Sequence, residues 1–512
     1  MDPGLPRVEL EAHGRIASAV EKPRENRASS SKKQRISAFQ SQFHRPDRLK
    51  PDRLLAKKRL HQGIERFRRQ FGDQPTQALG SVLPAADLQK LVVEEVGTFR
   101  ERIYPPLTTL ALFIGQALSQ DGACQDAVSR RLSDRTARGE AACSLNSGPY
   151  CKARQRLPLG LIRRLALQVG ETLEQESPVD WKWRGRSVKL MDGTTISMPD
   201  TASNQSVYPQ SGAQKAGLGF PLAMLVAVIS LSTGAVLEWA LGPCRGKHTG
   251  EQALFRQLMP QLDSADIVLA DRYHCNYFTA ALLVERGIDL VTRQHQRRIT
   301  DFRRGRRLGR RDHLVDWIRP QRPAWMDVET YETMPERLAM RETEIGGRIL
   351  VTTLADAKTV TAQDIDALYG RRWQVEVDLR SIKAEMGMDI LRTQSAPMVD
   401  KEIAVYLLAY NLVCALMVRA AVGSGVAARA LSFKGTIQLF LAFEQQLRFA
   451  GRGSIGTMTA HLLGGISLLR LPVRPGRVEP HAIKRRPKPH MLLTVPRDVA
   501  RSAILMSRGI SA

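Results

Sequence analysis

Between Ser187 and Arg293 the residues alternate in an order that few folds can accommodate. Ser187–Met198 reads as a strand interrupted at Asp192-Gly193. Phe220–Leu231 is a long β-rich run, Ser232-Thr233-Gly234 is a turn and Ala235–Leu241 is a second strand, so these pair as a hairpin. Gly250–Leu262 carries helical spacing. Asp266–Asp271 (Asp-Ile-Val-Leu-Ala-Asp) is apolar on both faces, as a buried parallel strand is. Asn276–Arg286 reads as a helix stopped by Gly287, and Ile288–Arg293 as a further strand.

Strand, strand, strand, helix, strand, helix, strand is the order of a ribonuclease-H-like core, an α/β fold on a mixed sheet. The flanking sequence divides around it. Residues 1–75 are rich in Lys and Arg and read as a basic, largely flexible arm, with a short helix at Arg59–Phe71. Residues 76–180 read as a helical DNA-binding domain. Apolar residues recur there at three- and four-residue steps in Leu83–Phe99, Pro106–Leu118 and Pro158–Leu173, and Val128–Arg138 and Tyr150–Arg156 add positive charge. The core's first part is 181–293. An Arg- and Pro-rich stretch then opens a mostly β insertion subdomain, 294–363, before helical pattern returns in the core's second part, 364–425. Residues 426–512 begin helical and end in the basic tail Lys484-Arg485-Arg486-Pro487-Lys488-Pro489.

Charge narrows the partner. The chain of 512 residues holds 76 Lys+Arg against 51 Asp+Glu, a net charge of +25. Such an excess suits a polyanion, most often nucleic acid. The apolar runs Phe220–Leu231 and Tyr406–Val418 fall short of the roughly 20 residues that span a bilayer, so no membrane role is expected. The N-terminus carries no apolar signal segment. Six cysteines without metal-finger spacing read as reduced thiols in a cytosolic chain.

The segment Tyr369–Lys383 carries the strongest chemical signal. At about 100° per residue, Tyr369, Arg372, Glu376, Arg380 and Lys383 share one stripe of a helix. Trp373 and Val377 flank it on one side, and Val375, Leu379 and Ile382 on the other. Arg371, Gln374, Asp378 and Ser381 fill the remaining arc as a wet face. A solvated stripe would lie opposite the apolar residues, not between them. Buried charge is costly unless paired or bound. An internal Arg372–Glu376 ion pair is one account; a site for metal and phosphate is the other.

Two further carboxylates qualify by position. Asp192 ends the first strand before a glycine, and Asp271 ends the fourth strand on the face of Ile267 and Leu269. Sites in open α/β sheets lie beyond strand ends. Three carboxylates around one point can hold two divalent cations, and hard oxygen ligands favour Mg²⁺ or Mn²⁺. Two such ions clamp the attacking and leaving oxygens of an in-line phosphoryl displacement.

At these residues the chain resembles a known family. Tyr369-x2-Arg372-x3-Glu376-x6-Lys383 matches the Y-x2-R-x3-E-x6-K signature of DDE transposases of the insertion-sequence-four group. Asp192-Gly193-Thr194 looks like that family's first acidic motif and Leu269-Ala270-Asp271-Arg272 like its second. The resemblance runs from about Arg100 to Pro489 and includes the β insertion. It implies an enzyme that cuts the ends of a mobile DNA element and joins them to target DNA, through a hairpin intermediate. By that resemblance Asp192, Asp271 and Glu376 bind the metal ions, Tyr369 and Arg372 hold phosphate, and Lys383 contacts the DNA backbone. Apart from the resemblance, Arg380 on the charged stripe, and Lys247 and His248 in the Gly-flanked loop after the third strand, are candidate DNA contacts, with a plain solvated loop as the other reading of the last two. A Trp of the insertion, Trp317 or Trp325, would stack on a flipped base. The family also implies double-stranded DNA as partner, a homodimer on paired ends, and a cytoplasmic, nucleoid-associated bacterial protein. A structure-specific nuclease on the same fold and an inactive DNA-binding relic are the alternative readings.

Overall fold

The computed structural model describes residues 85–97, 99, 102–244, 246, 249–472 and 492–507. The basic arm, the Arg59–Phe71 helix, Lys247, His248 and the Lys484–Pro489 tail lie outside them.

Among the described residues, five helices come first: α1 (Ala85–Val96), α2 (Pro106–Leu118), α3 (Cys124–Ala137), α4 (Gly148–Arg156) and α5 (Leu159–Glu176). Pro106 stands in the first turn of α2, where its missing N–H is not needed. The sheet strands β1 (Val188–Ser197), β2 (Leu222–Ser230) and β3 (Val236–Pro243) follow, interrupted by the short helix α6 (Ala202–Val207). Then come α7 (Glu251–Leu258), β4 (Ile267–Ala270), α8 (Tyr277–Glu285) and β5 (Asp289–Arg293). Asn276 caps α8 by accepting from the Thr279 N–H, and Gly287 ends the unit in the left-handed region at φ +70°.

Nine strands form one sheet in the order β3-β2-β1-β4-β5-β9-β8-β7-β6. β1, β2 and β3 pair antiparallel, whereas β4 pairs parallel with both β1 and β5. The insertion supplies β6 (Arg306–Gly309), β7 (Asp312–Ile318), the short α9 (Val328–Thr333), β8 (Arg337–Ile345) and β9 (Arg348–Thr352). Its strands do not make a sheet of their own: β9 pairs antiparallel with β5, so they extend the main sheet.

Each sheet face carries its own core. Leu190, Leu225, Ile267, Leu269 and Val291 face a layer that includes α2, α5 and the 29-residue helix α12 (Ala396–Ser424). Met191, Val226, Val228, Val268 and Leu290 face α7 and α8. The apolar run around Tyr406–Val418 thus lies inside a helix long and apolar enough to cross a membrane, but 89% of its apolar window is buried within the protein. It is a core helix. α2 and α5 share this core, so the first helices are packed into the body of the fold.

The segment that the sequence renders as one helix is interrupted. α10 (Ala362–Gly370) begins at a capping box between Thr361 and Asp364. Tight turns then link it to α11 (Trp373–Arg380), with Arg371 and Arg372 N–H groups bonding three residues back to Leu368 and Tyr369 carbonyls. A π-turn at Ser381–Glu385 follows. Each interruption shifts the phase of a helical wheel. The outcome is a correction: Asp378 and Ser381, assigned to a wet face by the straight wheel, are buried at 5% and 6% exposure. Trp373 is 58% exposed. The C-terminal helices α13 (Phe433–Phe449), α14 (Arg452–Leu468) and α15 (Arg497–Ser507) complete the described chain.

Candidate active site

Asp192 does not end its strand. β1 runs through Asp192 and Gly193 to Ser197, paired with β2 throughout, and Asp192 lies opposite Ala227. What ends is β1's other neighbour: β4 pairs with β1 only from Val188 to Leu190. Asp192 therefore stands two residues past the last β1–β4 pair, and Asp271 follows the last residue of β4. Strand alternation puts Asp192 on the face of Leu190, and Asp271 on that of Ile267 and Leu269. This is the face against which Val375, Leu379 and Ile382 of the α11 segment pack.

Arg372 ties two of the carboxylates together. Its Nη2 donates to Glu376 Oε1, and its Nη1 stands 3.5 Å from Asp192 Oδ2. Asp192 Oδ1 accepts the Gly193 N–H at 2.8 Å. Asp271 is fixed by its own turn: its Oδ1 accepts the Tyr273 N–H at 2.8 Å, and Thr292 Oγ1 donates to its carbonyl at 2.6 Å. Lys383 reaches across to β1, donating to Thr194 Oγ1 at 3.1 Å and the Thr195 carbonyl at 2.8 Å. Tyr369 is half-buried and within electrostatic reach of both Arg372 and Asp271. Arg380 is exposed. The Arg372–Glu376 ion pair is present, and the same guanidinium approaches Asp192.

The electrostatics fit crowding. Burial pushes Asp192 up to about 6; the Gly193 N–H and Arg372 oppose this, while Glu251 and Asp271 add to it. Burial pulls Arg372 down, but Tyr369, Glu376 and Asp192 more than offset it, so its net shift is upward. Burial raises Tyr369, with Arg372 acting against it.

Residues 183–412 match the family model described as a transposase DDE domain. That span holds every acidic and basic residue just described. The chain is 26% identical over 426 residues to the Escherichia coli (strain K12) transposase InsG for insertion sequence element IS4, covering 81% of this chain and 93% of that one. In that domain, and along most of its length, the chain is similar to DDE transposases of the insertion-sequence-four type. Among solved structures it is similar to the piggyBac transposase synaptic complex with hairpin DNA, at TM-score 0.39 and 11% identity, over 81% of this chain and 88% of that one.

Other residues singled out in the sequence make contacts of their own. Trp317 is 3% exposed; its Nε1 donates to Glu342 at 2.9 Å and the Arg298 guanidinium covers its ring at 3.7 Å. It is a core residue of the insertion here, not an open stacking face. Trp325 is half-buried under the Arg256 guanidinium, 3.7 Å from its ring centre. In the helical region several arginines are committed internally: Arg131 donates to the Ile103 carbonyl and Arg154 to Gln116. Arg138, Lys152 and Arg156 are exposed.

Sequence reasoning missed Glu251, and at His274-Cys275 it weighed only a zinc site, set aside for want of a second Cys/His pair at ligand spacing. Glu251 opens α7, and its Oε1 is 2.9 Å from the fully buried His274 Nε2. A donor atom from each of Glu251, Asp271 and His274 lies within 4.8 Å of the others. The available signals were slight: Glu251 directly follows Gly250, and His274 is three residues past Asp271.

Proposed function

We propose that this chain is a transposase that cuts DNA at the ends of an insertion sequence and joins those ends to target DNA, with Asp192, Asp271 and Glu376 holding two Mg²⁺ or Mn²⁺ ions. The observation that carries the reading is the convergence of Asp192 and Glu376 on Arg372, with Asp271 close enough to raise the Asp192 pKa. Oxygen donors alone, partly buried and mutually repelling, are the set a hard divalent cation would stabilise. When bound, such ions would activate water or a 3′-hydroxyl and neutralise charge on the phosphate.

The chain's own groups supply the rest. The Arg372 guanidinium is planar and forked, so it can turn from the carboxylates to grip a phosphate bidentately. The Tyr369 hydroxyl is a second donor on the same face. Lys383 steadies the extension of β1 that carries Asp192, and adds positive charge beside it. Arg380, Lys247 and His248 extend the DNA contact. The strand order β3-β2-β1-β4-β5, with β4 and β5 parallel to β1, supports a ribonuclease-H-like core. A cut-and-paste route through an end hairpin requires a sharply bent strand and an unstacked base. Trp325 is the insertion tryptophan with more of its ring near the surface. Holding two ends at once calls for a homodimer, and the net charge of +25 suits work on the bacterial nucleoid.

The test uses purified chain, a linear DNA carrying the element ends, and Mg²⁺ or Mn²⁺, resolved on a denaturing gel. Expected are metal-dependent nicks at the end boundary and a hairpin species, both lost in Asp192→Ala and Glu376→Gln. Normal cleavage by either variant would refute the assignment. Cleavage without joined target products would favour a structure-specific nuclease, and DNA binding without cleavage an inactive relic.

A further inference from the structure

We propose that Glu251 is a fourth carboxylate ligand of the divalent-metal site, positioned by His274 and admitted by the missing side chain at Gly193; this rests on the metal reading above. Three independent features converge on it.

Glu251 is placed where a ligand is needed. Its carboxylate, one of Asp271 and a ring nitrogen of His274 offer atoms within 4.8 Å of one another. Asp192 and Asp271 come from strands and face the α11 layer. Glu251 comes from α7, in the opposite layer, so it closes the cluster from the other side of the sheet.

His274 is built to hold it. The ring is 0% exposed and is held edge-on by Phe255 at 5.4 Å and Tyr273 at 5.7 Å between ring centres. Nε2 meets Glu251 Oε1 at 2.9 Å, and Nδ1 is buried without a partner. A hydrogen on Nε2 has the Glu251 oxygen as acceptor, whereas one on Nδ1 would be buried without any, so Nε2 is the donor to Glu251. The imidazole then donates to one Glu251 oxygen and leaves the other to face the cluster. A histidine behind a carboxylate ligand fixes its orientation, as outer-shell partners do at metal sites.

Gly193 makes the room. It follows Asp192 on β1 and so faces the α7 layer, as Met191 does. A Cβ at this position would lie 2.8 Å from Glu251 Cγ and Cδ and 3.0 Å from Oε2. Any side chain there would push Glu251 away from Asp192. Gly193 has no positive φ to explain it. An acidic residue serving only the helix dipole of α7 would need neither this gap nor the buried histidine.

The test is Mn²⁺ binding to the full chain, followed by the electron paramagnetic resonance signal of free Mn²⁺, without DNA and without turnover. Glu251→Gln is expected to weaken the tighter binding at least about tenfold, and His274→Ala about tenfold. Gly193→Ala keeps every carboxylate yet is expected to weaken binding in the same direction, and to add nothing further in the Glu251→Gln background. Melting temperature and circular dichroism report the fold of each variant. If Glu251→Gln does not fold, Gly193→Ala and Glu251→Asp carry the test. Wild-type Mn²⁺ affinity in folded Glu251→Gln or in folded Gly193→Ala overturns the proposal. Loss of binding in Asp271→Asn with no change in Glu251→Gln would overturn this inference alone. No Mn²⁺ binding by the wild-type chain would overturn the metal reading itself.

Discussion

The carboxylate helix is held from behind, and that hold can be measured. Asp378, two residues after Glu376, is 5% exposed and accepts from Arg429 Nη1. Arg429 also donates to the Leu231 carbonyl at 3.0 Å and the Ser230 carbonyl at 2.7 Å, at the end of β2. Burial raises the Asp378 pKa, and Arg429 and Tyr410 act against it. One guanidinium thus bolts α11 to the sheet. Arg429→Met leaves a buried carboxylate without its counter-charge, which costs about 3–5 kcal/mol. At 1.4 kcal/mol per decade, amide hydrogen exchange in α11 should accelerate by about two to three and a half decades, if the helix opens without global unfolding. Adding Asp378→Asn removes the stranded charge; the Ser230 carbonyl keeps the Gly234 N–H at 3.0 Å, and the lost Leu231 bond costs about 1 kcal/mol. The double variant should therefore recover roughly a decade or more of protection. The assay is hydrogen–deuterium exchange mass spectrometry on peptides spanning residues 373–380. Protection in Arg429→Met within threefold of wild type, or no recovery in the double variant, would refute the reasoning.

Three further outcomes follow from the same structure. Arg372→Lys keeps the charge, but one ammonium cannot span Asp192 and Glu376 as the fork does; end cleavage should fall at least about tenfold while DNA affinity, by gel shift, stays within about threefold. Gly234 adopts φ +83°, and a Cβ there would lie 3.2 Å from Arg429 Nη1; Gly234→Ala should cost about 1–2 kcal/mol and lower the melting temperature, and a wild-type melting temperature would contradict this. Burial pushes Asp266, 3% exposed, up to about 6 from an ordinary 3.8, against the pull of Lys189. A raised carboxylate pKa means that the folded chain binds the extra proton, so stability from this group is present at low pH and is lost as pH rises from about 4 to 6. Asp266→Asn removes that loss; its melting temperature relative to wild type should rise between pH 4.5 and 7.5, by up to about 3 kcal/mol equivalent, and a pH-independent difference would contradict the assignment.

What could be read from the sequence, and what could not, divides along physical lines. Local patterns carried well. The hairpin turn at Ser232-Thr233-Gly234, the doubly apolar β4 and the glycine stop at 287 each depend on residues within a few positions, and β2, β3, β4, α8 and β5 formed where those patterns lay. The place of Asp271 directly after β4 could be read because a strand end is a local event. Asp192 was singled out for the wrong reason: its own strand continues, and it is the neighbour β4 that stops. That is a property of pairing, which no single segment encodes. Insertion strands with their own turns look like a separate subdomain until β9 pairs with β5.

The charged segment shows both the strength of the helical wheel and its limit. Tyr369, Arg372 and Glu376 are seven positions apart at most, and Arg372 bonds Glu376 even though tight turns separate α10 from α11. Asp378 fell on the wrong face, because its burial is decided by Arg429, 51 residues further on. Glu251 was invisible for the same reason in stronger form. Its place depends on an absent side chain at Gly193 and a buried ring at His274, which only tertiary packing brings together. The carboxylates proposed to bind metal stand out in the sequence by being out of keeping with their local pattern. The groups that hold them do not, since an arginine, a histidine or a glycine is unremarkable until its neighbours across the fold are known. The residues of this site that remain to be found by substitution should therefore be sought among the contacts of Asp192, Asp271 and Glu376, not among further motifs.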